Sequence, residues 1–201
     1  MVRLFCLLFT LAASAPAATY VLHTGGTTDS GFLGQAASST WSLSVVFDPA
    51  NLSIFAGASY EADAPGELEA VFTIGALTGT ASVGGNFFIS DATTSGNDEW
   101  YLNLYPFFPG AGGPYWLEIV LQGGPNVWSS TALPLDSSVF SQLTLLRRME
   151  VIDSCFSCTL AQTRGTVGPV TIAEIPEPAS VALAGLGLAV GVVRRSRRAS
   201  S

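Results

Sequence analysis

Four stretches of the chain alternate apolar and polar side chains with period two. Trp41, Leu43, Val45 and Phe47 are interleaved with Ser42, Ser44, Val46 and Asp48. Leu68, Ala70, Phe72 and Ile74 are interleaved with Glu67, Glu69, Val71 and Thr73. Trp100, Leu102 and Leu104 oppose Tyr101, Asn103 and Tyr105, and Tyr115, Leu117, Ile119 and Leu121 oppose Trp116, Glu118, Val120 and Gln122. Successive side chains of a strand point to opposite faces, so each stretch predicts a half-buried strand. Weaker patterns predict strands at 54–60, 80–90, 139–146 and 166–172. Within 137–149 a helix is the alternative, because Phe140, Leu143 and Leu146 recur at every third position.

Turn formers separate these stretches: Asp48-Pro49-Ala50-Asn51, Gly84-Gly85-Asn86, Ser95-Gly96-Asn97-Asp98, Gly110 to Pro114, and Gly123-Gly124-Pro125-Asn126. Short strands with turns about every ten residues predict an antiparallel β-sandwich or a jelly-roll-like domain. No long stretch of period 3.6 is available to supply the crossover helices of a parallel sheet.

Charge then narrows the function classes. The chain has no lysine, and residues 18–175 hold Arg147, Arg148 and Arg164 against fourteen carboxylates, a net charge of −11. Such a body is repelled by phosphates, which excludes nucleic acid as a partner. Only 11% of the 201 residues are charged, so Ser, Thr, Asn, Gln and Gly must cover much of the surface.

The two ends read as addresses. Arg3 precedes an apolar run over residues 4–13 and then small residues, the pattern of a secretory signal peptide. Ala15-Pro16-Ala17 fits the A-x-A cleavage rule, which predicts a signal peptide of residues 1–17, cut after Ala17 by signal peptidase following Sec export. Near the other end, residues 179–193 carry no charge. As a helix they span about 22 Å at about 1.5 Å per residue, short of a hydrocarbon core of about 30 Å. Snorkelling by Arg194, Arg195, Arg197 and Arg198 and local thinning would cover the difference. The positive-inside rule holds that cluster in the cytoplasm, which places the body on the outer side of the inner membrane. Both ends predict one orientation.

The order Pro176-Glu177-Pro178, short Gly/Ala/Leu-rich helix (Gly185, Gly187, Gly191) and terminal arginines resembles the PEP-CTERM sorting signal of Gram-negative bacteria. The resemblance covers residues 176–198. It implies recognition of Pro176, Glu177 and Pro178 by an exosortase, a membrane-embedded transpeptidase-like enzyme, and removal of the tail. It also implies an association with exopolysaccharide and biofilm. The residues support that reading independently, since two prolines stop a helix from extending backwards and leave accessible, extended backbone. The expected organisation is a signal peptide at 1–17, a β-rich exported domain at 18–173 and a sorting signal at 174–201. The precursor would sit in the inner membrane with its body in the periplasm, then move to the cell surface or extracellular matrix.

The body offers few groups that specify a reaction. Cys155 and Cys158 would form a local disulfide in an oxidising periplasm; free thiols, redox chemistry and metal binding are the alternatives. Zinc lacks a full ligand set, because His23 is the single histidine and lies far off in sequence. His23 reads as a strand-edge residue, and no G-x-S-x-G pattern accompanies it to suggest a Ser-His-Asp hydrolase. Glu67 and Glu69 share one face of a strand, a solvated pair rather than carboxylates facing each other over a glycosidase cleft. Asp91, Asn97, Asp98 and Glu99 surround a turn and form an oxygen-rich candidate for Ca²⁺ without EF-hand spacing. No cofactor is expected.

Aromatic residues are dense between Trp100 and Trp116. Trp100, Tyr105, Tyr115 and Trp116 either fill the core or form a platform on which sugars stack. The sequence predicts a non-enzymatic surface or matrix protein, and the resemblance implies exosortase and exopolysaccharide as its partners. The alternative is a carbohydrate-binding module on the same β scaffold, and a secreted hydrolase stands third.

Overall fold

The computed structural model describes residues 18–55, 59–82, 84–91, 96–111, 114–153 and 162–176, all within one compact unit, Ala18–Pro176. Among the described residues, twelve strands and one helical turn follow in chain order. They are β1 (Thr19–Thr27), β2 (Thr40–Phe47), β3 (Ser53–Phe55), β4 (Ser59–Ala62), β5 (Leu68–Ile74), β6 (Leu77–Ala81) and β7 (Gly85–Ser90). After them come β8 (Glu99–Leu104), β9 (Tyr115–Gln122), α1 (Ser137–Phe140), β10 (Leu146–Asp153), β11 (Gln162–Thr166) and β12 (Thr171–Ile175). They build two antiparallel sheets, β12-β1-β2-β5-β6 and β11-β10-β9-β8-β7-β4-β3. Among the described residues no helix is long and apolar enough to cross a membrane.

The four strong alternations become β2, β5, β8 and β9, with their apolar phase inward. Trp41, Leu43, Val45 and Phe47 are all buried, and they pair with the buried Ile74, Phe72, Ala70 and Leu68 of β5. A slip of one residue would turn every one of these side chains outward, so the hydrophobic pattern fixes the register. The two sheets share a single core. Phe47 of one meets Phe87 of the other at 4.8 Å between ring centroids, and Phe32, Phe72, Phe108 and Tyr115 interlock edge to face over one end of it.

One corner stitches the sheets together. Trp41 donates its indole N–H to the Thr166 carbonyl at 3.0 Å, and the Gly168 amide donates to the Gly25 carbonyl at 2.7 Å. A Cβ on Gly26 would lie 1.9 Å from the Thr166 oxygen, so only glycine permits this approach. Arg147 adds a second fastening: it donates to the carbonyls of Phe140, Leu143, Val167 and Gly168. Burial pulls its guanidinium pKa below the ordinary value, and charge-assisted bonds to four carbonyls offset that cost.

Four expectations change. Residues 139–146 are not a strand. Asp136 caps a single helical turn by accepting from the Ser138 amide at 2.9 Å and its hydroxyl at 2.7 Å, which also holds the Asp136 pKa down. The spacing of three then drops Phe140 and Leu143 into the core, and the strand begins only at Leu146. Residues 166–172 divide between β11 and β12, because the chain crosses there from one sheet to the other. His23 does not lie on a sheet edge: β1, which the sequence patterns did not reveal, runs between β2 and β12. Its pattern is broken by Gly25 and Gly26 at the stitched corner. The weak stretches 54–60 and 80–90 each resolve into two short strands.

β12 is an edge strand with mostly exposed side chains. Its register with β1 sets Thr19 opposite Ile175. Ser137 supplements the pairing, since its hydroxyl accepts from the Ile172 amide at 2.7 Å and donates to the Ile172 carbonyl at 3.1 Å.

Candidate functional site

The aromatic stretch separates by strand phase into two sets. Trp100 is fully buried against Phe140 and Phe87, at 5.2 and 6.0 Å between centroids. Tyr115 is buried too, and its hydroxyl donates to the Ala111 carbonyl at 2.9 Å. Neither can meet a sugar, which corrects two of the four candidate glycan contacts. Tyr105 and Trp116 point the other way. Each is 41% exposed, and their rings lie 5.8 Å apart on the outer face of the seven-stranded sheet.

That face carries an ordered polar row. Strand register aligns Glu61, Asn86, Asn103, Glu118, Glu150 and Arg164 across six neighbouring strands, β4 to β11. At about 4.8 Å between strands, the row is about 24 Å long. Asn103 donates to the Asn86 carbonyl oxygen at 2.9 Å. Phe88 and Tyr101 stand beside the row in edge contact at 5.8 Å. The Tyr101 hydroxyl donates to Glu99 at 2.6 Å. Burial and this bond, reinforced by the carboxylate charge, push the phenol up to about 12.

The row sets Glu118 directly opposite Glu150, a like-charge pair that would destabilise the sheet if left alone. Arg148 resolves it, lying 3.1 Å from Glu118 and 3.7 Å from Glu150. Arg164 approaches Glu150 to 3.1 Å from the next strand, and Gln162 also donates to that carboxylate. Glu150 is only 7% exposed. Arg148→Ala is therefore expected to cost about 1–2 kcal/mol, since Glu118 loses its described ion partner while Arg148 itself is partly screened by water. Urea unfolding of the single variant and of Arg148→Ala with Glu118→Gln checks this, with the second change recovering part of the loss.

The remaining candidates have structural duties or lie elsewhere. Asp98 is fully buried and accepts from the amides of Val127 and Trp128 at 2.6 and 3.1 Å. Glu99 accepts from Tyr101 and from Gln122. These two carboxylates of the calcium candidate hold a loop and a strand together. Among the described residues no group of three or more His, Cys, Asp or Glu side chains is placed to hold a metal. Glu67 accepts from the amides of Asp63 and Ala64, while Glu69 stands exposed. His23 is exposed, with Ser44 and Thr171 as its cross-strand neighbours.

Pro176, one residue beyond β12, is the last residue described at this end of the domain, and it is exposed. Glu177, Pro178, the four terminal arginines, Ala15, Ala17, Cys155 and Cys158 lie outside the described residues. Residues 174–198 match the family model of the PEP-CTERM protein-sorting motif. No curated protein and no solved structure matches the chain.

Proposed function

We propose that this chain is an exported, non-enzymatic surface or matrix protein, delivered as a membrane-held precursor and processed by an exosortase. The sorting motif at 174–198 carries the reading, because it implies export, a membrane-anchored precursor and passage to the cell surface. In this reading residues 1–17 are the signal peptide, removed after Ala17, and residues 179–193 hold the precursor in the inner membrane until the tail is cut. The β body, a sandwich in form, then takes its place among exopolysaccharide. The test is fractionation of the native host, with and without its exosortase, followed by mass-spectrometric detection of C-terminal peptides. The tail should be absent from wild-type cells and retained in the exosortase-deficient strain. Retention in both would reduce this end to a plain membrane anchor.

A second reading is favoured by the outer face of the seven-stranded sheet, where the body itself would bind a polysaccharide. Tyr105 and Trp116 are half-wet amphipathic rings next to a row of amides and carboxylates, the mixture that recognises sugar faces and hydroxyls.

A further inference from the structure

The polar row ends in a cavity of about 200 Å³ beside Tyr105. Glu61, Asp63 and Asn86 line it together with the Tyr105 ring and Gly84 and Gly85. The glycines shape it. Gly84 has φ +74°, and its amide donates to the Ala62 carbonyl at 3.3 Å, which folds the turn back over β4. A Cβ on Gly84 would lie 3.4 Å from the Tyr105 ring, while one on Gly85 would instead press on Leu104 in the core. The cavity leaves room for one sugar ring with its hydroxyls. It is smaller than the roughly 300–1,000 Å³ typical of larger ligand pockets.

Resting on the glycan-binding reading, we infer that this cavity is the terminal subsite for a single neutral pyranose of a polysaccharide that continues over Trp116. Tyr105 supplies one wall for the ring, and Trp116 extends the aromatic surface by 5.8 Å. The carboxylates supply acceptors. One Glu61 oxygen takes the Ser59 hydroxyl at 3.1 Å, which orients the other toward a sugar hydroxyl. Asn86 has lent its oxygen to Asn103, so its N–H₂ group is the donor it offers. The ion pairs of this face engage Glu118 and Glu150, and among the described residues no cation lies within ion-pair distance of Glu61 or Asp63. Two carboxylates in so small a space repel uronates, sulfated sugars and phosphosugars and accept hydroxyl donors. The subsite selects against acidic sugars.

The test titrates the processed protein by calorimetry with two probe sets: neutral gluco-, manno- and galacto-oligosaccharides, and oligouronates of matched length. At least one neutral probe should bind about tenfold more tightly than any uronate. Tyr105→Ala and the pair Glu61→Gln with Asp63→Asn should each weaken that binding about tenfold or more at an unchanged melting temperature. Trp116→Ala should weaken it less. Equal or tighter binding of uronates would overturn the inference. So would neutral binding that disappears in Trp116→Ala but survives in Tyr105→Ala and the carboxylate pair, which would leave the glycan-binding reading standing without this subsite. A wild-type protein that binds neither set would defeat the glycan-binding reading itself.

Discussion

Trp100→Ala should cost about 3–5 kcal/mol of stability, the range for emptying a fully packed aromatic site. At about 2–4 °C per kcal/mol for a domain of this size, melting should fall by about 6–20 °C. Trp100 has no exposed surface and holds Phe87 and Phe140 together, so its removal detaches the helical turn α1 from β7 and β8. Among the described residues its buried indole N–H meets no acceptor. Trp100→Phe keeps a ring and removes that orphan donor, and should cost far less than Trp100→Ala. Trp116→Ala, on the outer face, should fall within about 1 kcal/mol of wild type. Thermal and urea unfolding of the three variants would give the ranking, and near-equal losses for Trp100→Ala and Trp116→Ala would contradict the assigned strand phase.

Glu177→Ala should abolish tail removal without disturbing membrane insertion. Glu177 is the single charge between Glu174 and Arg194, so the change leaves the apolar segment 179–193 and the arginine cluster intact. The expected product is full-length protein retained in the inner membrane with its tail peptide detectable. Replacing Arg194, Arg195, Arg197 and Arg198 by neutral residues should act on a different step, by weakening stop-transfer and orientation. Those variants should show mixed topology by protease protection. A Glu177→Ala protein processed as fast as wild type would show that the acidic residue is not read.

The strand phase of the aromatics is legible in the sequence. Trp100 alternates with Tyr101, and Tyr115 is the neighbour of Trp116, so the four rings were already divided between two faces. β2, β5, β8 and β9 were equally plain, because each buries one face against a shared core. Other features depended on partners distant in sequence. β1 pairs with β2 and with β12 but carries two glycines where the sheets meet, which erases its alternation. Residues 137–146 satisfied helix and strand spacing at once, and the Asp136 cap decided between them. The row from Glu61 to Arg164 exists only through register, since its six members are spread over 104 positions of the chain. Nothing local marks them as a set.

The pairing of Thr19 with Ile175 has a mechanical consequence. Any load carried by the segment after Pro176 enters the body through β12. That strand has five residues and is bordered on one side only. Its side-chain anchorage is modest: a half-buried Ile172 and the Ser137 hydroxyl. Under tension β12 therefore yields first, while the shared core behind β1 and β2 stays intact. Its release bares the hydrogen-bonding edge of β1, a nine-residue strand with its other edge already taken by β2. An edge of that kind presents unpaired backbone groups, so β12 is the cover that keeps β1 from pairing elsewhere.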